Sequence, residues 1–106
     1  MRPRNAAPLD KFVRKHRDAR AWTARWRTVV EAANWQNLND VRFSFASADG
    51  VRVPGRGGVV VVVTVFKVKG NEYRLLTVIS YQLQSVIVVD VLTHAEYDRD
   101  KWKDRI

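Results

Sequence analysis

No cysteine occurs in this chain, which excludes disulfides, thiolate metal sites and a cysteine nucleophile. Histidine is almost as scarce. His16 and His94 stand far apart, and no pair of them has the spacing of metal ligands. No clustered acidic motif marks a Mg²⁺ site either, so no metal and no cofactor is expected. Long apolar runs are missing too: the longest, Val59 to Val63, is far too short to span a bilayer. The opening segment, Met1 to Pro8, is basic but lacks the apolar stretch of a signal peptide. A cytoplasmic protein is the expectation. Acid is in deficit, with 11 Asp and Glu against 19 Lys and Arg and a net charge of +8. Such a field draws polyanions, so RNA, DNA or an acidic protein becomes a natural partner.

What is present fits one domain, residues 1–106, with 46% hydrophobic and 28% charged residues. The first half reads helical. Leu9, Phe12 and Val13 begin a short apolar stripe. Trp22, Trp26, Val29, Val30 and Ala33 recur at intervals of three and four, predicting an amphipathic helix over about Arg20 to Ala33 with Asp18 as its cap. Tryptophans on such a stripe read as core rather than as base-stacking platforms. Trp35 to Phe45 holds a shorter helix, capped by Asn37 or Asn39. Ser47 to Gly50 reads as a turn and Pro54 to Gly58 as a loop. That loop is no phosphate-binding P-loop, because no Gly-Lys-Ser/Thr follows and a strand comes next.

The second half reads as sheet. Val59 to Lys67 is rich in β-branched residues. Lys69 to Glu72 is a hairpin turn, Tyr73 to Tyr81 the next strand, Gln82 to Ser85 a turn, and Val86 to Leu92 the third strand. Both faces of the middle strand are largely apolar, so it should be central. Thr93-His94-Ala95-Glu96 fits a capping box that opens a short helix running to Trp102. The class is α+β: N-terminal helices packed on one face of a three- to four-stranded antiparallel sheet, with a short C-terminal helix.

Cleaving RNA without a metal needs three things. The ribose 2′-OH must lose a proton, the phosphoryl oxygens must have their growing charge neutralised, and the 5′ oxygen must gain a proton. His94 brings an imidazole, the side-chain type suited to passing protons near neutral pH. Arg74 and Lys67 can hold phosphoryl oxygens, and Glu96 or Tyr97 could share the proton transfers. Each also has a structural reading: Arg74 as a solvated charge or a partner of Glu72, Tyr97 as a lid on the core, Glu96 as a cap, Lys67 and Lys69 as charges that blunt a strand edge.

The segment Val65 to Leu75, then Ile79-Ser80-Tyr81, then Thr93-His94-Ala95-Glu96-Tyr97-Asp98 resembles the HigB-like toxins of the RelE superfamily. Ala33 to Asn37 and the spacing of Asp40 and Ser47-Ala48-Asp49 resemble the family's middle section. Leu9 to Phe12 with His16 and Asp18 to Arg20 resemble its first helix. The resemblance implies a small RelE-like RNase fold, cleavage of mRNA (commonly on the translating ribosome), and neutralisation by a cognate HigA-like antitoxin. It points to Arg74, His94 and Tyr97 as the catalytic group, with Lys67, Lys69, Asn71 and Glu96 near the RNA and Asn71 shaping the turn. Three features depart from the family pattern. Pro3 and Pro8 weaken the usual first strand, Lys67 and Lys69 stand where Asn and Gly are typical, and Pro54 to Gly58 with the five-valine run looks inserted. Two rival readings are a non-catalytic RNA- or ribosome-binding module and a degenerate toxin kept only as a protein-binding partner.

Overall fold

The computed structural model describes residues 1–106. In chain order it contains β1 (Arg2–Arg4), α1 (Ala7–Lys15), α2 (Arg20–Ala32), α3 (Leu38–Ser44), β2 (Asp49–Pro54), β3 (Val60–Val68), β4 (Tyr73–Ser80), β5 (Ser85–Thr93) and α4 (His94–Asp98). Short 3₁₀ turns lie at Arg17–Ala19, Arg56–Gly58 and Lys101–Arg105. The five strands form one mixed sheet in the order β1-β5-β4-β3-β2. The α+β architecture is the one the sequence implies, and β4 is indeed its central strand.

The sheet is wider than the three or four antiparallel strands expected. β1 runs parallel to β5, with Pro3 opposite Val86. Proline lacks the N–H that an interior strand must donate, but at a sheet edge that donor is not needed. Pro3 therefore does not abolish the first strand. Pro8 sits in the first turn of α1, where a missing N–H also costs nothing. Between them Asn5 takes a left-handed φ of 59°, a conformation its short polar side chain tolerates. β2 is the other addition. It pairs antiparallel with β3 from Asp49 opposite Val65 to Pro54 opposite Val60, so the expected turn at Ser47–Gly50 ends earlier than predicted. Only Val51 and Val53 point inward along it, too short an alternation to stand out from its flanking turn residues. The tight β2–β3 connection closes with Gly55 N donating to Val59 O at 2.6 Å. A Cβ at Gly55 would meet that carbonyl oxygen at 2.9 Å, so only glycine fits there.

The three N-terminal helices cover one face of the sheet, where Leu9, Trp26, Val30 and Val41 pack on Phe66 and Leu75. Trp26 is fully buried, edge-on to Phe66 with centroids 5.7 Å apart, and the half-buried Trp22 lies against Phe45. Both tryptophans belong to the core. The opposite face carries a second cluster, in which Val53, Val63, Val65, Leu76 and Leu92 are covered by Trp102 from the C-terminal turn. A bulge shifts the alternation of β5 partway along the strand. Leu76 pairs with Asp90 but the next residue, Thr77, pairs with Val88, so Val89 is an extra residue and the alternation shifts by one. Val86, Val88 and Val91 face the helices, and Leu92 faces Trp102.

Of the expected caps, Asn37 serves α3, its side chain accepting from Asp40 N at 3.0 Å. Asp18 does not cap α2, because a 3₁₀ turn intervenes and Ala19 occupies the cap position. Its carboxylate instead accepts from the Tyr73 hydroxyl at 2.9 Å and from Lys69 Nζ at 3.1 Å. That link ties the end of α1 to the start of β4.

Two stability outcomes follow from these contacts. The indole N–H of Trp26 is buried without an acceptor. Trp26→Ala should cost about 3–5 kcal/mol, whereas Trp26→Phe should cost far less, since it also removes an unpaired buried donor; urea unfolding of the two variants measures the gap. The Tyr73 hydroxyl, then Lys69, hold the Asp18 carboxyl below its ordinary value. A depressed folded-state pKa contributes stability that is fully present above the unfolded pKa and lost as pH falls through the folded one. The difference in urea midpoint between wild type and Asp18→Asn should stay constant from neutrality to about pH 5 and shrink below about pH 4. A difference that does not change with pH would remove this link as an acid-sensitive contact.

Candidate active site

The tight turn between β3 and β4 places Lys69 and Gly70 at positive φ, 52° and 68°. Asn71 is not one of the left-handed residues, contrary to the hairpin chemistry expected of it. Its side chain has another task. Asn71 Oδ1 accepts from Arg74 Nη2 at 2.7 Å, while Arg74 Nη1 donates to the carbonyls of Asn71 and Tyr73 at 3.1 and 3.2 Å. Arg74 lies on the β4 face that looks toward Trp102, opposite Lys67 on β3 and Leu92 on β5. It is only 6% exposed, and no carboxylate lies within ion-pair distance of it. Its one aromatic neighbour is Tyr97, whose ring centroid is 5.5 Å from Cζ.

A buried guanidinium without a counter-ion is an uncommon expense for a small fold. Here the cost is offset by carbonyl dipoles and the electron-rich face of a tyrosine. Three of its five N–H groups are used; Nε makes no hydrogen bond. The result is a rigid, desolvated positive charge, with the positive Lys67 directly across the ladder. That arrangement suits an anion better than it suits the protein alone.

Tyr97 stacks on Trp102 with centroids 5.4 Å apart, and its carbonyl accepts from Trp102 Nε1 at 3.2 Å. Burial raises its phenol above the ordinary value, and Asp49 adds to the rise while the Arg74 charge opposes it. At neutral pH Tyr97 is therefore a proton donor only. His94 begins α4, and its backbone N–H donates to Glu72 O at 3.1 Å, which docks the helix onto the β3–β4 turn. Its Nδ1 lies 3.1 Å from Asp98 Oδ2, with both side chains about half exposed. A carboxylate can only accept, so Nδ1 carries the proton and Nε2 is left free for substrate.

Glu96 completes the predicted capping box. Its Oε1 accepts from Thr93 N at 3.0 Å while Thr93 Oγ1 accepts from Glu96 N at 3.2 Å. The Thr93 amide is the main cause of a carboxyl held below its usual range. Glu96 is thus an ionised cap, with Oε1 already engaged. Lys69 is bound to Asp18 on the helical side and does not join Arg74. The residues drawn together are Arg74, Asn71, Lys67 and Tyr97, with His94 held beside them by the Glu72 link. Asp98 is the functional neighbour that residue-by-residue reading missed, although its i,i+4 spacing from His94 was the available signal. Nowhere in the chain do three His, Asp or Glu side chains gather closely enough to hold a metal ion.

No curated protein is similar enough to the chain to count as a relative. The sequence profile of the HigB toxins, the RelE-like toxic component of a toxin–antitoxin system, matches residues 19–100. That span takes in α2 through α4, and with them Arg74, His94, Tyr97 and Asp98. It covers well over half of the 106 residues, so the chain belongs to the HigB toxin family of RelE-like toxins.

Proposed function

We propose that this toxin is an endoribonuclease that cleaves mRNA on the ribosome, without a metal ion, in the cytoplasm. The observation that carries the reading is Arg74: a buried, rigidly hydrogen-bonded cation with no carboxylate of its own. A preorganised charge of that kind stabilises negative charge that grows in a transition state, at no cost in reorganisation.

In this reading the ribose 2′ oxygen attacks the adjacent phosphorus as its proton leaves. The bond from phosphorus to the 5′ oxygen breaks, and that oxygen takes up a proton. Arg74, with Lys67 opposite, neutralises the non-bridging oxygens. His94, oriented through Nδ1 by Asp98, transfers protons through Nε2. Tyr97 positions the RNA and supplies a proton, since its phenol stays protonated. Asn71 acts by fixing Arg74, and Glu96 by fixing the start of the helix that carries His94 and Tyr97. The products are a 2′,3′-cyclic phosphate and a 5′-hydroxyl. No helix is long and apolar enough to cross a membrane.

Removing a charge that acts mainly in the transition state costs about 3–4 kcal/mol, or about a hundred- to thousandfold in rate. Arg74→Ala and His94→Ala should each lose that much cleavage of ribosome-bound mRNA while remaining folded by circular dichroism. Cleavage by wild type should persist in excess chelator with ribosome integrity controlled separately. Products ending in 5′-phosphate would exclude 2′-OH attack. Binding of RNA without cleavage would identify a non-catalytic RNA- or ribosome-binding module.

The family carries with it an antitoxin partner, and a surface of net charge +8 favours one that is acidic where it binds. A HigA-like antitoxin should engage the helical face around Arg14, Arg17, Arg25 and Arg27 or cover the His94 surface. Co-expression of the neighbouring gene product should restore growth and yield a co-purifying complex that dissociates more readily as salt is raised. A toxic chain that neither flanking product binds would be a solitary nuclease.

A further inference from the structure

α1, β5 and α4 enclose an open groove of about 550 Å³ on the side of α4 away from Arg74. Its walls are Lys11, Phe12 and Lys15 from α1, His16 at the end of that helix, Asp90 beside the β5 bulge, and Glu96 from α4. We propose that this groove binds the backbone of single-stranded RNA beyond the point of cleavage. The proposal takes its ligand from the nuclease reading above, and adds to it a second site and the residues that form it.

The charges in the groove favour an anion although two carboxylates line it. Asp90 Oδ2 is already paired with Arg105, 3.1 Å away; Glu96 stays ionised, its carboxyl held low chiefly by the Thr93 amide, with Lys15 among the nearby charges that contribute. Lys11 and Lys15 are exposed and have no carboxylate within ion-pair distance. They are four residues apart on one helix, so both ammonium groups face the same way. With Asp90 matched by Arg105, the two lysines outweigh the single charge of Glu96, and the net field offered to a ligand is positive.

Beside the lysines, α1 presents a second i,i+4 pair. The rings of Phe12 and His16 stack with centroids 4.3 Å apart and planes 24° apart. Tyr73 supports them from below, edge-on to Phe12 at 4.9 Å. Phosphate-binding cations alongside a half-exposed aromatic platform form the pattern by which proteins hold unpaired nucleotides without reading their sequence.

The backbone argues against a protein strand as the occupant. β1 pairs with β5 only at Ser85–Ile87, which leaves the rest of that edge without a strand. Its polar groups are nonetheless engaged by side chains: Asn5 Nδ2 donates to Val88 O at 2.8 Å, and Asp90 Oδ1 accepts from Val91 N at 2.8 Å. Strand addition needs those groups free. Placement supports continuity with the active site as well. Glu96 lines the groove while its neighbour Tyr97 meets Arg74, so one short helix separates the groove from the candidate active site.

The test is fluorescence anisotropy with a short, uncleavable 2′-O-methyl RNA, run from low to physiological salt. Parallel cleavage assays use unmodified mRNA bound to ribosomes. Each lysine that neutralises a phosphate contributes a slope of about 0.7 in log K against log salt on single strands. The double variant Lys11→Gln/Lys15→Gln should lose about 1.4 from that slope and bind several-fold more weakly at low salt. Its cleavage should show a raised KM and an unchanged kcat. Arg20→Gln/Arg56→Gln, which removes equal charge elsewhere, should change the slope much less. A double lysine variant whose affinity and slope match wild type, or fall only as far as the control's, overturns the groove. If that variant keeps its RNA affinity and loses antitoxin binding, the groove is a protein surface and the proposal is wrong. Wild type that binds RNA with the lysine-dependent slope yet leaves the ribosome-bound mRNA intact upholds the groove and defeats the nuclease reading. Wild type that cleaves RNA while the lysine variant binds normally does the reverse. No RNA binding by wild type at all defeats both.

Discussion

β4 must be covered on both faces, and most of the architecture follows from that requirement. Leu75 and Leu76, adjacent in sequence and fully buried, point to opposite sides of the sheet. One side demands the helices α1 to α3, and the other demands a cover that only the C-terminal turn supplies. Trp102 closes that second layer, and in doing so it fixes Tyr97 by stacking and by a hydrogen bond to its carbonyl. The bulge in β5 resets its alternation, so that Val91 faces the helices and Leu92 faces Trp102. Burial on this scale contributes about 25 cal/mol for each Å² of apolar surface removed from water. The helix that carries His94 and Tyr97 is thus held chiefly by packing, with its own five residues too few to be stable alone.

Electrostatics are organised by scarcity of acid. Five aspartates, Asp10, Asp18, Asp49, Asp90 and Asp100, are each matched to one cation, and Asp98 is held by His94. Such exposed pairs add little to stability, but they determine where the positive field is quenched. It is quenched at the α1–α2 contact, at the Lys69 turn and along the C-terminal segment. It is left intact at Arg74, at Lys67 and along α1 at Lys11 and Lys15. A salt concentration near physiological, with a Debye length of about 8 Å, screens the exposed lysines far more than the enclosed guanidinium. Arg74 therefore acts as a short-range group, and the lysines as a diffuse, salt-sensitive one.

Legibility in the sequence followed the strength of local signals. β3, β4 and β5 could be read to within a residue or two because β-branched runs alternate with Gly, Asn and Gln turns. The caps at Asn37 and Thr93 were readable because a cap needs only neighbours in sequence. β1 was not, since a three-residue parallel strand depends on a partner far along the chain and its proline argued against it. β2 was hidden by brevity: two inward valines between turn residues give almost no period. Asp18 looked like a cap from its position, but its partners, Tyr73 and Lys69, are more than fifty residues away. At the site, the types of Arg74, His94 and Tyr97 were informative. Their environment was not, because neither the burial of Arg74 without a counter-ion nor the return of Asp98 to His94 can be known before the chain is folded.

The parallel pairing of β1 with β5 has a consequence for how the molecule is made. Asn5 reaches Val88 across 83 positions, and β1 finds its partner only at Ser85–Ile87. Closing so long a loop carries an entropic cost that is met only when β5 is already seated in the meander. During synthesis the first strand has nothing to pair with until Ser85–Ile87 has been made. His94 and Tyr97 come later still. Assembly of the sheet edge and of the candidate catalytic group therefore waits until β5 and α4 have both been made, so a nascent copy short of α4 is an incomplete fold.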